Sequence, residues 1–208
     1  MDPSGIAGPS TIGAGVSALI AGILLAVFFA TSNVAWGRAN DAASVAFSLL
    51  LVPAALAMHQ RYAPVAPWML AVTALGLIAL GVAAGSSLLT ALGRLSVEDL
   101  TRWQGGSFAA VFAWVGAVSA AIVGLGGLPA GIGWLGLVAA ALAVGATLEV
   151  VRLVRRHGMA ELARMTRVPR IAAGASLSAA AVFPIWCVWL GVALSGPCAS
   201  ALCRAVPP

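Results

Sequence analysis

The sequence predicts an all-α membrane protein: a polytopic bundle of about six transmembrane helices with almost no soluble part. Three observations predict it. Of 208 residues 62% are hydrophobic, only 8% are charged, and the mean hydropathy is +1.05. A soluble domain is about one quarter charged, so a water-facing shell cannot be built from this composition. The apolar residues also fall into stretches of about 20, each long enough to cross ~30 Å of hydrocarbon at about 1.5 Å per residue. Finally, the positive charge is all arginine, with no lysine in the chain, and it gathers in a few connections.

The spans are expected at 12–31, 42–58, 67–89, 107–126, 131–151 and 171–194, forming one transmembrane domain over 1–208. The first resembles a secretion signal, but no Lys or Arg precedes it and no convincing cleavage site follows, so it is read as a span. The second is the shortest and carries Pro53, which removes a backbone donor and is expected to kink the helix; Pro184 does the same in the last. Between spans three and four, Ser96 followed three residues later by Asp99 predicts a capped, short surface helix with Leu100 and Trp103 toward lipid. The connection 152–170 interleaves Leu153, Val154, Met159, Leu162, Met165 and Val168 with arginines, which reads as an extension of helix five and an amphipathic interfacial helix. Its Arg155, Arg156, Arg164 and Arg167 are the expected lipid or partner surface, beside a plainer reading as an orientation signal.

Arginine also sets the expected orientation, because basic residues accumulate on the cytoplasmic side. Arg38, Arg94, Arg102, Arg152, Arg155, Arg156, Arg164, Arg167 and Arg170 follow odd-numbered spans, against Arg61 and Arg204 on the other side. Both termini are therefore expected outside the cytoplasm. Tryptophans agree with this layout: Trp36 and Trp103 fall at the inner boundary, Trp68, Trp134, Trp186 and Trp189 near the outer one. Trp114 lies well inside a span and is expected to pack against another helix, with a ligand cavity as the rival reading. The composition, rich in Ala, Gly, Leu and Val without lysine, suggests a GC-rich bacterial genome and a multi-pass place in the inner (plasma) membrane.

Few residues invite chemistry. Glu149 is the acid expected at membrane depth, where a carboxylate is a functional suspect, although Arg152 three residues on offers a pairing along the helix. His59 and His157 are expected on opposite sides of the bilayer and cannot share a haem. Cys198 and Cys203 are expected to close a structural disulfide outside the cytoplasm, with thiol exchange through Cys187 as the rival. The spans hold many hydroxyls but no histidine or paired carboxylate to activate one. Gly81 with Gly85, and Gly174 with Ser178, have a small-x-x-x-small spacing that permits close helix approach. A basic stripe for nucleic acid is missing, and no metal or cofactor is expected.

The stretch Gly126-Gly-Leu-Pro-Ala-Gly-Ile-Gly-Trp-Leu-Gly-Leu137, with the looser Leu50-Leu-Val-Pro-Ala-Ala-Leu-Ala57, resembles a pattern in uncharacterised bacterial six-span membrane proteins. The resemblance implies the fold and transfers no active residue. Independently of it, Pro129 and the glycines suit a sharp reversal into helix five. The leading functional expectation is a non-enzymatic accessory or scaffold subunit that meets membrane lipids and a membrane-protein partner or its own copy. A small transporter, channel or binder of a lipid-like ligand acting as a homo-oligomer comes second. An enzyme of lipid or thiol chemistry ranks last.

Overall fold

A computed structural model describes residues 3–31, 33–95, 97–157 and 168–196. These form six helices: α1 (Pro3–Thr31), α2 (Val34–Tyr62), α3 (Met69–Ala91), α4 (Val97–Leu125), α5 (Ala130–His157) and α6 (Val168–Ser195). The described residues hold no strand. Five of the helices are long and apolar enough to cross a membrane; in α6 the apolar part so described is the shorter Ala181–Ser195. Large side chains such as Leu75, Ile78, Trp134 and Leu148 stand exposed on the outside of the helices. In water such a surface would be an aggregation liability; in lipid it is the solvent-facing side, and the chain is a membrane protein.

Several helices run past the apolar stretches that predict them. Helix α2 starts eight residues early, because Asn33 caps it: the Asn33 Oδ1 accepts the Ala35 N–H at 3.0 Å. The separate surface helix expected near Ser96 is instead the first part of α4, which runs unbroken from Val97. Pro53 and Pro184 lie inside α2 and α6, and Pro9 inside α1.

Each helix packs on its neighbours in sequence, and α6 returns to pack on α1, so the six close into a ring. The odd and even helices contribute differently to it. Large aromatic rings come from the even ones: Phe47 of α2 stacks on Phe108 of α4 with centroids 5.9 Å apart. Phe183 of α6 meets Phe47 and Phe112 edge-on. Trp186 of α6 stacks on Phe183 at 5.8 Å and meets Trp114 of α4 edge-on at 6.5 Å. Small residues come mostly from the odd ones, among them Ala7 and Ala14, Ala79 and Ala83, and Ala139 and Ala143, all buried. Large against small lets the rings interdigitate at native density, and between lipid-exposed helices this packing is the main source of association.

The α1–α6 contact shows how close the backbones come. A Cβ on Gly191 would stand 2.7 Å from the Gly8 carbonyl oxygen and 2.6 Å from an Ile12 side-chain carbon. The pair Gly81 and Gly85, by contrast, has nothing among the described residues within 4 Å of the position a side chain would take, so that spacing is not used between the described helices. Gly174 and Ser178 lie outside the residues whose side chains are described.

At one end of the ring, α2 clamps the turn between α4 and α5. Tyr62 Oη donates to the Gly126 carbonyl at 2.8 Å, and the Arg61 guanidinium donates to the Gly127 carbonyl. Both glycines take positive φ, +73° and +81°, which a side chain would strain. Tyr62→Phe removes one of the two bonds without touching the turn. The expected cost is about 1 kcal/mol, read as a fall of roughly 2–4 °C in melting temperature by tryptophan fluorescence; an unchanged melt would show that the clamp does not hold the turn.

Candidate functional site

The opposite end of the ring carries Arg38, Arg94 and Arg152, and just inside it lies the one acid buried among the described side chains, Asp41. The capped start at Asn33 carries α2 inward so that Asp41, Ser44, Ser48, Leu51, Ala55, Met58 and Tyr62 follow one another at intervals of three and four. Such residues share a helix face, and all seven are buried. Asp41 is 7% exposed, although it belongs to a membrane-crossing helix. A span of 29 residues is about 43 Å long at 1.5 Å per residue, so the ~30 Å of hydrocarbon begins close to this carboxylate.

Helix α2 packs on α3, and both carry buried hydroxyls. The Arg38 guanidinium is 3.5 Å from where a Gly93 Cβ would stand. On α4, Ser107 precedes Phe108, whose ring stacks on Phe47 of α2. Ser44, Ser48, Ser86, Ser87 and Ser107 are all buried.

The hydroxyl protons are largely committed to the helices. Ser48 Oγ donates to the Ser44 carbonyl at 2.8 Å, Ser86 Oγ to the Ala83 carbonyl at 3.2 Å, and Thr90 Oγ1 to the Ser86 carbonyl at 2.9 Å. A hydroxyl whose proton is spent still offers lone pairs, so these oxygens add acceptors to an end of the core that already holds a carboxylate. Asp41, Ser87 and Ser107 are themselves engaged in interactions. Deeper in the bundle the chemistry reverses. The indole Nε1 atoms of Trp114 and Trp186 and the hydroxyls of Thr73 and Ser119 are buried without a hydrogen-bond partner. Trp114 lies against Gly76 of α3, whose Cβ would stand 2.9 Å from the indole nitrogen, and a Cβ on Gly136 of α5 would overlap Trp186 Nε1 and Ser119 Oγ.

Of the residues singled out from sequence, Glu149 is not at the core. Its side chain is 43% exposed and its Oε2 is 3.7 Å from the Arg152 guanidinium one turn on. The buried acid is Asp41, which hydropathy places in a connection. Trp114 is 1% exposed, in the core beside Trp186. Trp186, expected near the outer boundary, is fully buried beside Phe183 and Trp114. Trp36, Trp68, Trp134 and Trp189 are exposed near helix ends. Cys187 is a free, buried thiol against Gly15 of α1. The expected extension of helix five is present, since α5 runs to His157; Cys198, Cys203, Arg164 and Arg167, and with them the expected disulfide and the 158–167 part of the connection, lie outside the described residues, as do the side chains of Arg155 and Arg156. Asp41 left one usable signal, its place at the head of the three-and-four stripe that ends at Tyr62.

Ring, exposed apolar surface and buried carboxylate define the class: an all-α, polytopic membrane protein with a polar cluster inside one end of the bundle. Compared with known proteins, the chain matches no family model, no curated protein and no solved structure.

Proposed function

We propose that this chain is a non-enzymatic carrier or binder of a small solute, set in a bacterial plasma membrane with both termini outside and the arginine-rich end in the cytoplasm. The single observation that carries the reading is the buried Asp41 inside a membrane-crossing helix. A carboxylate at that depth costs several kcal/mol unless it is partnered or neutralised, and such acids mark ion and substrate pathways. Buried hydroxyls on the same and neighbouring helices, Ser44, Ser48, Ser86, Ser87 and Ser107, support the same reading.

The test is analysis of small molecules released on denaturing protein purified from its own membrane in mild detergent. A compound present with wild type and lost from Asp41→Asn, at equal protein, is the expected result. No difference between the two would remove the reading. A second reading, the accessory subunit or homo-oligomer, is favoured by the open Gly81/Gly85 face of α3, whose small residues permit close approach of another helix. Native mass spectrometry of the same preparation tests it: a second protein, or a dimer lost in Gly81→Leu, would establish that reading, and a bare monomer would dismiss it.

A further inference from the structure

We propose that Arg38 and Arg94, brought to one place by the turn that ends α3, hold the phosphate of a net-anionic phospholipid. This is independent of the solute-binding reading above. Helix α3 closes on a glycine: Gly93 takes φ +68°, its N–H donates to the Thr90 carbonyl, and the Arg94 N–H reaches back to the Leu89 carbonyl, both at 2.8 Å. Those two bonds fix the start of Arg94 immediately past the helix end. From α2, the Arg38 guanidinium comes within 3.5 Å of the position a Gly93 Cβ would take, so it lies against the residue next to Arg94. Both arginines are exposed.

The other described arginine side chains are occupied, Arg61 by the Gly127 carbonyl and Arg152 by Glu149 at 3.7 Å. Arg38 and Arg94 have no such partner among the described residues. Two neighbouring guanidiniums repel each other unless an anion stands between them, and their planar sets of N–H donors match a phosphate. Depth selects which phosphate. Arg38 is three residues nearer the start of α2 than Asp41, where the hydrocarbon begins, so it falls in the headgroup layer. Exposed Val34 and Trp36 of α2, and Leu92 after α3, stand within four residues of one or other arginine and offer apolar surface to the lipid beneath its headgroup. Charge selects the lipid. Phosphatidylcholine brings an ammonium with its phosphate, whereas phosphatidylglycerol brings a net negative charge to two positive ones.

Native mass spectrometry of the purified full chain, in mild detergent micelles doped with equal amounts of phosphatidylglycerol and phosphatidylcholine, tests the proposal. Wild type is expected to retain phosphatidylglycerol about tenfold more strongly than phosphatidylcholine. The double variant Arg38→Gln with Arg94→Gln should lose that preference. Arg94→Gln alone changes only an exposed side chain beyond a helix end, so it serves should the double variant not fold; it should weaken phosphatidylglycerol retention about fivefold. Equal retention of the two lipids by wild type would overturn the proposal. A preference that survives in the double variant would do the same, by placing the lipid elsewhere on the chain. Thermal unfolding separates lipid from free anion: phosphatidylglycerol should raise the melting temperature of wild type, since a ligand of the folded state stabilises it by mass action, and inorganic phosphate should not. An equal rise with inorganic phosphate would make the site one for a soluble anion and refute the lipid.

Discussion

Gly191→Leu is expected to prevent the ring from closing. The first added atom would already meet the Gly8 carbonyl and Ile12 of α1 at 2.6–2.9 Å, and two of the three nearest atoms belong to the α1 backbone. A flexible side chain could swing aside, but a helix backbone can move only by carrying α1 away from α6. Overpacking a core ordinarily costs about 1–3 kcal/mol and more where nothing can yield, so a loss of about 3 kcal/mol or more is expected. Size-exclusion chromatography and thermal unfolding in detergent should show aggregated or early-melting protein. Gly81→Leu adds the same side chain at a position with nothing nearby, and should leave the melt of the monomer unchanged. Equal behaviour of the two variants would refute the packing assigned to α1 and α6.

The second large effect is expected of Trp186→Ala. This indole is fully buried, stacked on Phe183 and edge-on to Trp114, so truncation removes both ring contacts at once and opens a cavity between α4, α5 and α6. Such truncations cost about 3–5 kcal/mol, which corresponds to a fall of roughly 10 °C for a chain of this size. Trp186→Phe separates packing from polarity. It keeps a ring for Phe183 to stack on and deletes an indole N–H that has no acceptor, and relief of that unmet donor offsets part of the lost contact. The phenylalanine variant should therefore melt within a few degrees of wild type. An alanine variant that does the same would show that the aromatic core does not hold the even helices together.

Hydropathy makes the spans legible because it averages over a window, and for the same reason it misses what lies at their edges. Gly37, Arg38, Asn40 and Asp41 pull the average down, so the apolar stretch begins at Ala42 although Asn33 starts the helix. With that start lost, Asp41 falls into a connection and Glu149 takes its place as the acid of interest. Inward and outward faces are equally hard to read. A residue facing lipid and a residue facing another helix are both apolar, so periodicity carries little of the signal that it carries in a water-soluble helix. The glycine spacings show the limit: Gly81 and Gly85 have the familiar pattern and meet nothing, whereas Gly8, Gly15 and Gly191 sit where α1 and α6 touch. Composition cannot separate these cases, because what decides them is which helix lies opposite. Arg61 and Tyr62 can be placed at a helix end from sequence, but their hold on Gly126 and Gly127 depends on a turn more than sixty residues away.

Closure of α6 on α1 also has a meaning in time. The ribosome makes α1 first and α6 last, and chains generally acquire structure from the N-terminus as they emerge. The Gly8 and Gly15 face of α1 therefore enters the membrane well before the helix that will cover it exists. Until Gly191 arrives, the growing protein is an open arc with an unsealed seam. Any chain cut short before α6 keeps that seam open, which gives a membrane quality-control protease a simple way to tell an unfinished copy from a finished one.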